Sequence, residues 1–405
     1  MKSFEKVKKC KRGDILLTIK DNLKGLRLSE RFRKTLRNAS NTNFSTYRTP
    51  VREIISKAKK YSRFENVVLI GYGGSINNFK AMYYALGSEK NVFMVNTLEP
   101  EYLDNIIKKC KSGKTVVIVV SKSGNTISVL ENLILFVNKG YKNIVCITQG
   151  GALKEIALRE GFEIVEHPNI GGRFSALTPS ALFPAKVCGI NIERIVRGAR
   201  RIYKNPKHMV DVAIKLYELE RKGYTEIFLS AYSEKLIGIL WLITQLIHET
   251  TGKNKKGQSV IFAIGPESQH ETNQRFFGGR RNMVGFFIKI KEHKNMRIKV
   301  PKNMRDIKVK NESIMILDNL NLADSIHYEL EGVLEHAKKN KIPHFILELK
   351  KLNEESVGEL IAFWQYLAYY SALLRKQNPF DQPEVEYSKK KTIELIRRDK
   401  EDYRN

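Results

Sequence analysis

The sequence predicts an α/β protein: two doubly wound parallel-sheet domains, each an α-β-α sandwich, with helical arms at the N- and C-terminal ends. Three observations predict this class. Uninterrupted apolar runs such as "VVLI" (67–70) and "TVVIVV" (115–120) alternate with helical patterns. Strands that are apolar throughout belong to a parallel sheet covered on both faces. The two halves also echo each other in pattern. "VVLIGYGGSINNFKAMYYAL" (67–86) matches "IFLSAYSEKLIGILWLITQL" (227–246), and "VVIVVSKSGNT" (116–126) matches "VIFAIGPESQHET" (260–272).

The elements follow in order. Residues 1–50 are basic and polar with short apolar patches and read as a helical arm. The first sheet domain, 51–204, begins with a strand at 67–70, a glycine turn and a helix that ends at Gly87. "NVFMVN" is the next strand and "EYLDNIIKKCKSG" a short helix. "TVVIVV" follows, then the helix "TISVLENLILFVNKG", whose Ile127, Leu130, Leu133, Ile134 and Val137 share one face before Gly140 stops it. "NIVCIT", "ALKEIALREG" and "FEIVEH" complete a strand, helix and strand. The second domain, 205–377, holds two strand–loop–helix units, a Lys-rich stretch at 291–310, and the apolar run "IMILD" (314–318). A helix to about 340, the strand "HFILEL" and a long helix from about 354 to 376 complete it. Asn378-Pro379 ends that last helix. Residues 378–405 form a loop and a helix returning toward the site.

A chain of 405 residues with 42% apolar content carries a sizeable core and is not disordered. The longest nearly apolar run, Ile237 to Ile247, is too short to span a bilayer, and "MKSFEKVKKCKRGD" is not a signal peptide. A cytoplasmic location is expected. Cys10, Cys110, Cys146 and Cys188 are isolated, and the histidines lack ligand spacing, so neither a disulfide framework nor a metal centre is expected. The formal charge of +28 reads as a Lys-rich solvated surface that also concentrates a small anionic substrate. No nucleic-acid motif accompanies it, and no nucleic-acid or membrane partner is expected.

The chemistry lies in the loops. "GYGGS" (71–75) frees the backbone to approach a ligand. A dinucleotide fingerprint would place a third glycine where Ile76 stands, and no acidic residue ends the next strand. "SGKT" (112–115) fails the phosphate-loop pattern and is a helix-to-strand turn. "SKSGNT" (121–126) is different: Ser121, Ser123 and Thr126 supply hydroxyls and Lys122 a charge at a helix N-terminus, a cradle for phosphate. Capping alone needs one hydroxyl. In "NIGGRFSAL" (169–177) two glycines let Arg173 reach a developing oxyanion; the alternative is a surface ion pair. In "QLIHETTGK" (245–253) Gln245 and Glu249 share one helical face. At the end of an apolar helix, desolvation would bring the Glu249 carboxyl toward the range of a general base; the alternative is a solvated helix end. His270 in "GPESQHETNQ" (265–274) sits where a helix begins.

These segments, in this order over roughly residues 66–390, resemble phosphoglucose isomerase, a family of the SIS (sugar isomerase) superfamily. "GGRFS" and the "FDQxxVExxK" pattern are the most specific. The resemblance implies that Ser75, Ser121, Lys122, Ser123 and Thr126 bind the substrate phosphate, and that Arg173 stabilises a cis-enediolate. It implies Glu249 as the base beside Gln245. It also implies that His270, donated across a homodimer interface, and Lys389 open the sugar ring, with Gln382 contributing from the C-terminal loop. The chain departs from the family at Pro383, Glu384 and Ser388. The reaction implied is interconversion of glucose 6-phosphate and fructose 6-phosphate, with no cofactor. Two rival readings remain: a dual phosphoglucose/phosphomannose isomerase or non-catalytic phosphosugar-binding protein, and a basic nucleic-acid binder. A sensor would not need Glu249, Arg173 and Lys389 together, and a nucleic-acid binder would show steep salt dependence.

Overall fold

The computed structural model describes residues 16–23 and 29–402. A strand, β1 (Leu17–Asp21), precedes helices α1 (Glu30–Asn38), α2 (Asn43–Thr46) and α3 (Val51–Lys59). The first sheet then builds up as β2 (Asn66–Ile70), α4 (Gly74–Leu86), β3 (Asn91–Val95), α5 (Pro100–Lys109), β4 (Thr115–Val120), α6 (Ile127–Asn138), β5 (Ile144–Thr148), α7 (Gly151–Glu160) and β6 (Glu163–Glu166). Helices α8 (Pro179–Val187), α9 (Ile192–Lys204) and α10 (Lys207–Arg221) lead into the second sheet. It comprises β7 (Glu226–Ala231), α11 (Ile237–Thr251), β8 (Ser259–Ile264), α12 (Thr272–Gly278) and β9 (Met283–Glu292). A small hairpin, β10 (Lys308–Val309) and β11 (Glu312–Ser313), intervenes before α13 (Leu322–Lys339), β12 (His344–Lys351), α14 (Glu354–Leu374) and α15 (Glu386–Asp402).

The first four strands of each sheet share one order, in keeping with two doubly wound halves that echo each other. The first runs β3-β2-β4-β5-β6, all parallel. The second runs β8-β7-β9-β12-β1, parallel except at its last pair. In each, the first strand of the unit lies between its second and third. That arrangement opens a crevice at the carboxyl ends of the strands, where ligands bind in doubly wound sheets. The first turn of α4, after β2, carries Ser75, the loop after β4 is 121–126, and the helix after β7 carries Glu249.

Four details differ from the sequence expectation. The described part of the N-terminal arm is not helical throughout: β1 adds to the second sheet's edge, antiparallel to β12, with Leu17 opposite Leu349 and Asp21 opposite Phe345. Only Leu17 and Ile19 turn inward, and this short apolar patch was enough to make a strand once β12 offered an open edge. The strand β9, where no element is expected from the sequence, is an inner strand of the second sheet and runs into the Lys-rich stretch, its last residues already charged. "IMILD" joins no sheet; Ile314–Leu317 is a single 3-10 turn. In α6 the buried face is Val129, Asn132, Leu133 and Phe136, while Ile134 is half exposed. An almost wholly apolar helix leaves its orientation to packing rather than to pattern. The "SGKT" segment is the short turn expected, Ser112–Lys114.

The longest helix, α14, is buried along nearly its whole length and packs on α9, α10 and α11, joining the two sheets' helical layers into one core. Helix α15 is the opposite: residues 386–400 are exposed almost throughout. Among the described residues no helix is long and apolar enough to cross a membrane.

Candidate active site

Arg173 is the centre of the site. It is buried, 3% exposed, and lies in the 3-10 turn Gly172–Leu177. A guanidinium carries five N–H donors, and all of them are used. Nε donates to Thr250 Oγ1 at 2.9 Å; Nη1 donates to Glu249 Oε2 at 3.1 Å and Gln382 Oε1 at 2.9 Å. Nη2 donates to the carbonyls of Pro379 at 2.6 Å and Asp381 at 3.0 Å. Burial lowers the guanidinium's pKa, and Glu249 opposes that effect. The surface ion pair that was the alternative for this arginine is excluded by its burial.

The two double-glycine motifs meet to place it. A Cβ on Gly74 would lie 2.2 Å from the carbonyl carbon of Gly172 and 2.4 Å from the Arg173 nitrogen, so the backbones touch where only glycine fits. Asn78 ties the same junction, donating to the carbonyls of Gly74 and Gly172, both at 2.7 Å. Ser75 therefore opens α4 beside the turn that carries Arg173.

Glu249 sits at the end of α11. Its carboxylate is 35% exposed at the side chain and accepts from Arg173 and from Gln245 Nε2 at 2.9 Å. The desolvated carboxyl expected from sequence is thus replaced by a partly solvated carboxylate, held by two donors. Gln245 accepts in turn from Asn77 Nδ2 at 2.9 Å.

The loop after β4 is built by hydrogen bonds, not by capping. Thr126 is the N-cap of α6, yet its side chain makes no capping bond. Its Oγ1 lies 3.1 Å from Ser121 Oγ instead. The backbone is pinned by Gln149 N–H on Lys122 O and Leu153 N–H on Gly124 O. At Gly124, φ is +68° and a Cβ would lie 1.8 Å from Gly150 O, so the loop closes only with glycine there. Lys122 is half-buried, its pKa lowered by burial, and no ion pair engages it among the described residues. The hydroxyls, the charge and the N-terminus of α6 together suit an anion.

The C-terminal loop delivers Gln382 to Arg173, and Phe380 packs edge-on against Phe174 at 5.6 Å. An ion pair at 2.6 Å between buried Lys253 and Asp381 locks it. Lys389 is not brought in: it lies exposed on α15, paired with Glu386 one turn away at 2.7 Å. Helix α15 leaves Tyr387, Leu395 and Ile396 exposed and does not pack them against the body. His270 is exposed on the turn Glu267–His270, and no hydrogen bond joins it to Glu249, Arg173 or Gln382. Sequence reasoning missed Thr250, Asn77, Asn78 and Lys253. Thr250 and Lys253 lie inside the quoted "HETTGK", and Asn77 and Asn78 follow "GGS" closely; their proximity to motif residues was the available signal. Among the described residues no group of three or more His, Cys, Asp or Glu is placed to hold a metal ion.

No protein-family model matches the sequence. Individual proteins do. The probable glucose-6-phosphate isomerase of Methanococcus maripaludis is 32% identical over 371 residues, covering 85% of this chain and 82% of its own. The glucose-6-phosphate isomerase of Methanocaldococcus jannaschii is 30% identical over 362 residues, covering 85% and 88%. Among solved structures, a hypothetical protein from Thermus thermophilus superimposes with a TM-score of 0.83 at 24% identity, covering 91% of this chain and 94% of that one. The glucose-6-phosphate isomerase of Chlamydia trachomatis superimposes with a TM-score of 0.72 at 21% identity, covering 93% and 80%. The chain belongs to the glucose-6-phosphate isomerase family.

Proposed function

We propose that this enzyme interconverts glucose 6-phosphate and fructose 6-phosphate by moving one proton between adjacent carbons, with Glu249 as the base. The observation that carries this reading is the Arg173–Glu249 contact with Gln245 alongside. Glu249 takes the C2 proton of the open-chain aldose. The C–H electrons form the C1=C2 double bond, and the carbonyl oxygen at C1 becomes the enediolate oxygen. The C2 hydroxyl proton passes to that oxygen, Glu249 returns its proton to C1, and the ketone forms at C2. In the first step negative charge leaves the carboxylate and appears on the substrate. The carboxylate from which the charge departs already lies against the buried Arg173 guanidinium, whose positive charge is fixed beside the reacting groups. One carboxylate serves both directions.

The phosphate is assigned to Ser121, Lys122, Ser123 and Thr126, with Ser75 beside them. Supporting this are the hydroxyl pair at 3.1 Å, the uncapped helix end and the half-buried lysine. Ring opening is assigned to His270 of a second copy in a homodimer and to Lys389, which reaches substrate only if α15 folds back over the site. The cytoplasm is the proposed location, in keeping with buried free thiols at Cys110, Cys146 and Cys188. The test is an assay of the purified protein with fructose 6-phosphate and a chelator, detecting glucose 6-phosphate in one channel and mannose 6-phosphate in the other. Turnover to glucose 6-phosphate supports the reading, and the second channel fixes its breadth. No turnover in either would overturn it.

A further inference from the structure

We propose that Asn77 is a positioning residue for the reaction: it fixes which end of the Gln245 side-chain amide faces the base. This rests on the reading of Glu249 as the base. An amide presents a donor at one end and an acceptor at the other, and Gln245 could offer either to Glu249. Asn77 Nδ2 donates to Gln245 Oε1 at 2.9 Å, which leaves Gln245 Nε2 to donate to Glu249 Oε1 at 2.9 Å. The three side chains form a polarised row in which every donor points toward the carboxylate. Asn77 stands on α4, which follows the first sheet's β2, and Gln245 on α11, which follows the second sheet's β7. The row therefore also crosses from one sheet's layer to the other beside the reacting carbons. The helices that carry it are packed together by Tyr84 edge-on to Trp241 at 5.3 Å and Lys80 over the Trp241 ring at 4.9 Å.

The consequence lies in the half-reaction where Glu249 holds the proton. A carboxylate prefers a donor beside it, but a carboxylic acid can donate to an acceptor. If the Gln245 amide were free to turn, it would present its carbonyl to protonated Glu249 and stabilise that form. In the arrangement seen, Asn77 opposes the turn, because a turned amide would set its NH2 group against the NH2 of Asn77. Glu249 therefore meets a donor both before and after it takes the proton.

The charged and titratable groups around Glu249 are few. Arg173 contacts it directly from the Gly172–Leu177 turn, and Lys253 and Asp381 pair with each other behind the C-terminal loop. Lys80 on α4 sits over Trp241, its pKa lowered by burial. His248 accepts from Val260 N–H at 2.8 Å through Nε2, which requires its neutral form, and burial lowers its pKa. Under the proposed function His270 of a second copy joins them. Among the described residues no hydrogen bond joins Arg173, Lys253, Asp381, Lys80 or His248 to Asn77, so substitution there tests the amide and not a charge pair.

Two variants test it by the acid limb of kcat/KM against pH. Asn77→Leu removes the donor and frees the amide. Asn77→Asp keeps the size but reverses the polarity, because its carboxylate draws the Gln245 NH2 away from Glu249. Loss of a fixed donor to the carboxylate is expected to move the acid limb to higher pH. At a pH below the limb, kcat/KM should fall by roughly two- to tenfold in Asn77→Leu, the worth of one hydrogen bond, and by more in Asn77→Asp. Loss at the pH plateau should be smaller, and KM for fructose 6-phosphate should change little, since the phosphate loop is untouched. Thermal melts show that each variant is folded. An acid limb unmoved in both variants overturns the proposal, and so does a shift to lower pH. Glu249→Gln measured alongside separates the two readings: if it is inactive while the limbs stay put, only the role of Asn77 falls. If it turns over normally, the base assignment falls with it.

Discussion

Arg173 and Glu249 meet through Nη1 and Oε2 at 3.1 Å, with the guanidinium buried and the carboxylate one-third exposed. The same Nη1 holds Gln382, and Nη2 holds the carbonyls of Pro379 and Asp381. One side chain thus contacts Glu249 and fastens the C-terminal loop.

Arg173→Lys separates these duties. An ammonium keeps the charge but has neither the planar fork nor the five donors. It should lower kcat by roughly a hundred- to a thousandfold, the range for losing an oxyanion donor. It should also destabilise the fold by about 2 kcal/mol or more, because carbonyls in the C-terminal loop lose their donor. Steady-state kinetics together with a urea titration would check both. Loss of kcat without loss of stability would mean that the loop is held by Lys253 and Asp381 alone.

Thr126→Val removes one hydroxyl of the proposed phosphate cradle at almost constant volume, and with it the contact to Ser121. Because the group touches a part of the substrate that does not react, KM should rise roughly three- to tenfold with kcat within about twofold. A fall in kcat at constant KM would place this hydroxyl at the reacting end instead.

Stability should fall on acidification earlier than carboxylates alone would dictate. The rings of His167 and His344 are almost wholly buried, and burial lowers the pKa of both. Above the ordinary histidine value of about 6.5 the rings are neutral in both folded and unfolded chains. Below it, only the unfolded chain takes up the protons, so stability drains away as pH falls. Each ring contributes a slope of up to about 1.4 kcal/mol per pH unit. Urea midpoints between pH 8 and pH 5 should show the decline, and His167→Gln should reduce its slope. An unchanged slope would mean that His167 is protonated in the folded protein.

The first sheet was legible because its inner strands are contiguous apolar runs closed by turns, and local pattern suffices for such runs. Strand β1 was not: "LTIKD" has two inward apolar residues, and it becomes a strand only because β12, over 300 residues away, leaves an edge for it. The same division holds in the site. Gln245 and Glu249 are four apart on one helix, so spacing alone placed them together. Arg173 reached them through the meeting of Gly74 with Gly172, a contact between motifs a hundred residues apart. Asn77 was invisible because its importance lies in a single hydrogen bond across the two sheets' layers. Lys389 and His270 were named from resemblance, and the geometry of one chain leaves both at its surface.

The central claim is that one carboxylate carries a proton from C2 to C1, and isotope transfer tests it most directly. Glucose 6-phosphate carrying deuterium at C2 would be converted in ordinary water with a chelator present, and the label followed into C1 of fructose 6-phosphate and into solvent. Transfer through Glu249 predicts that part of the label is lost to water during its stay on the carboxylate, and that Glu249→Gln lowers kcat by roughly a hundred- to ten-thousandfold, the usual worth of a general base. Complete retention of deuterium at C1, with turnover undiminished in Glu249→Gln, would mean a direct hydride shift and would contradict the account.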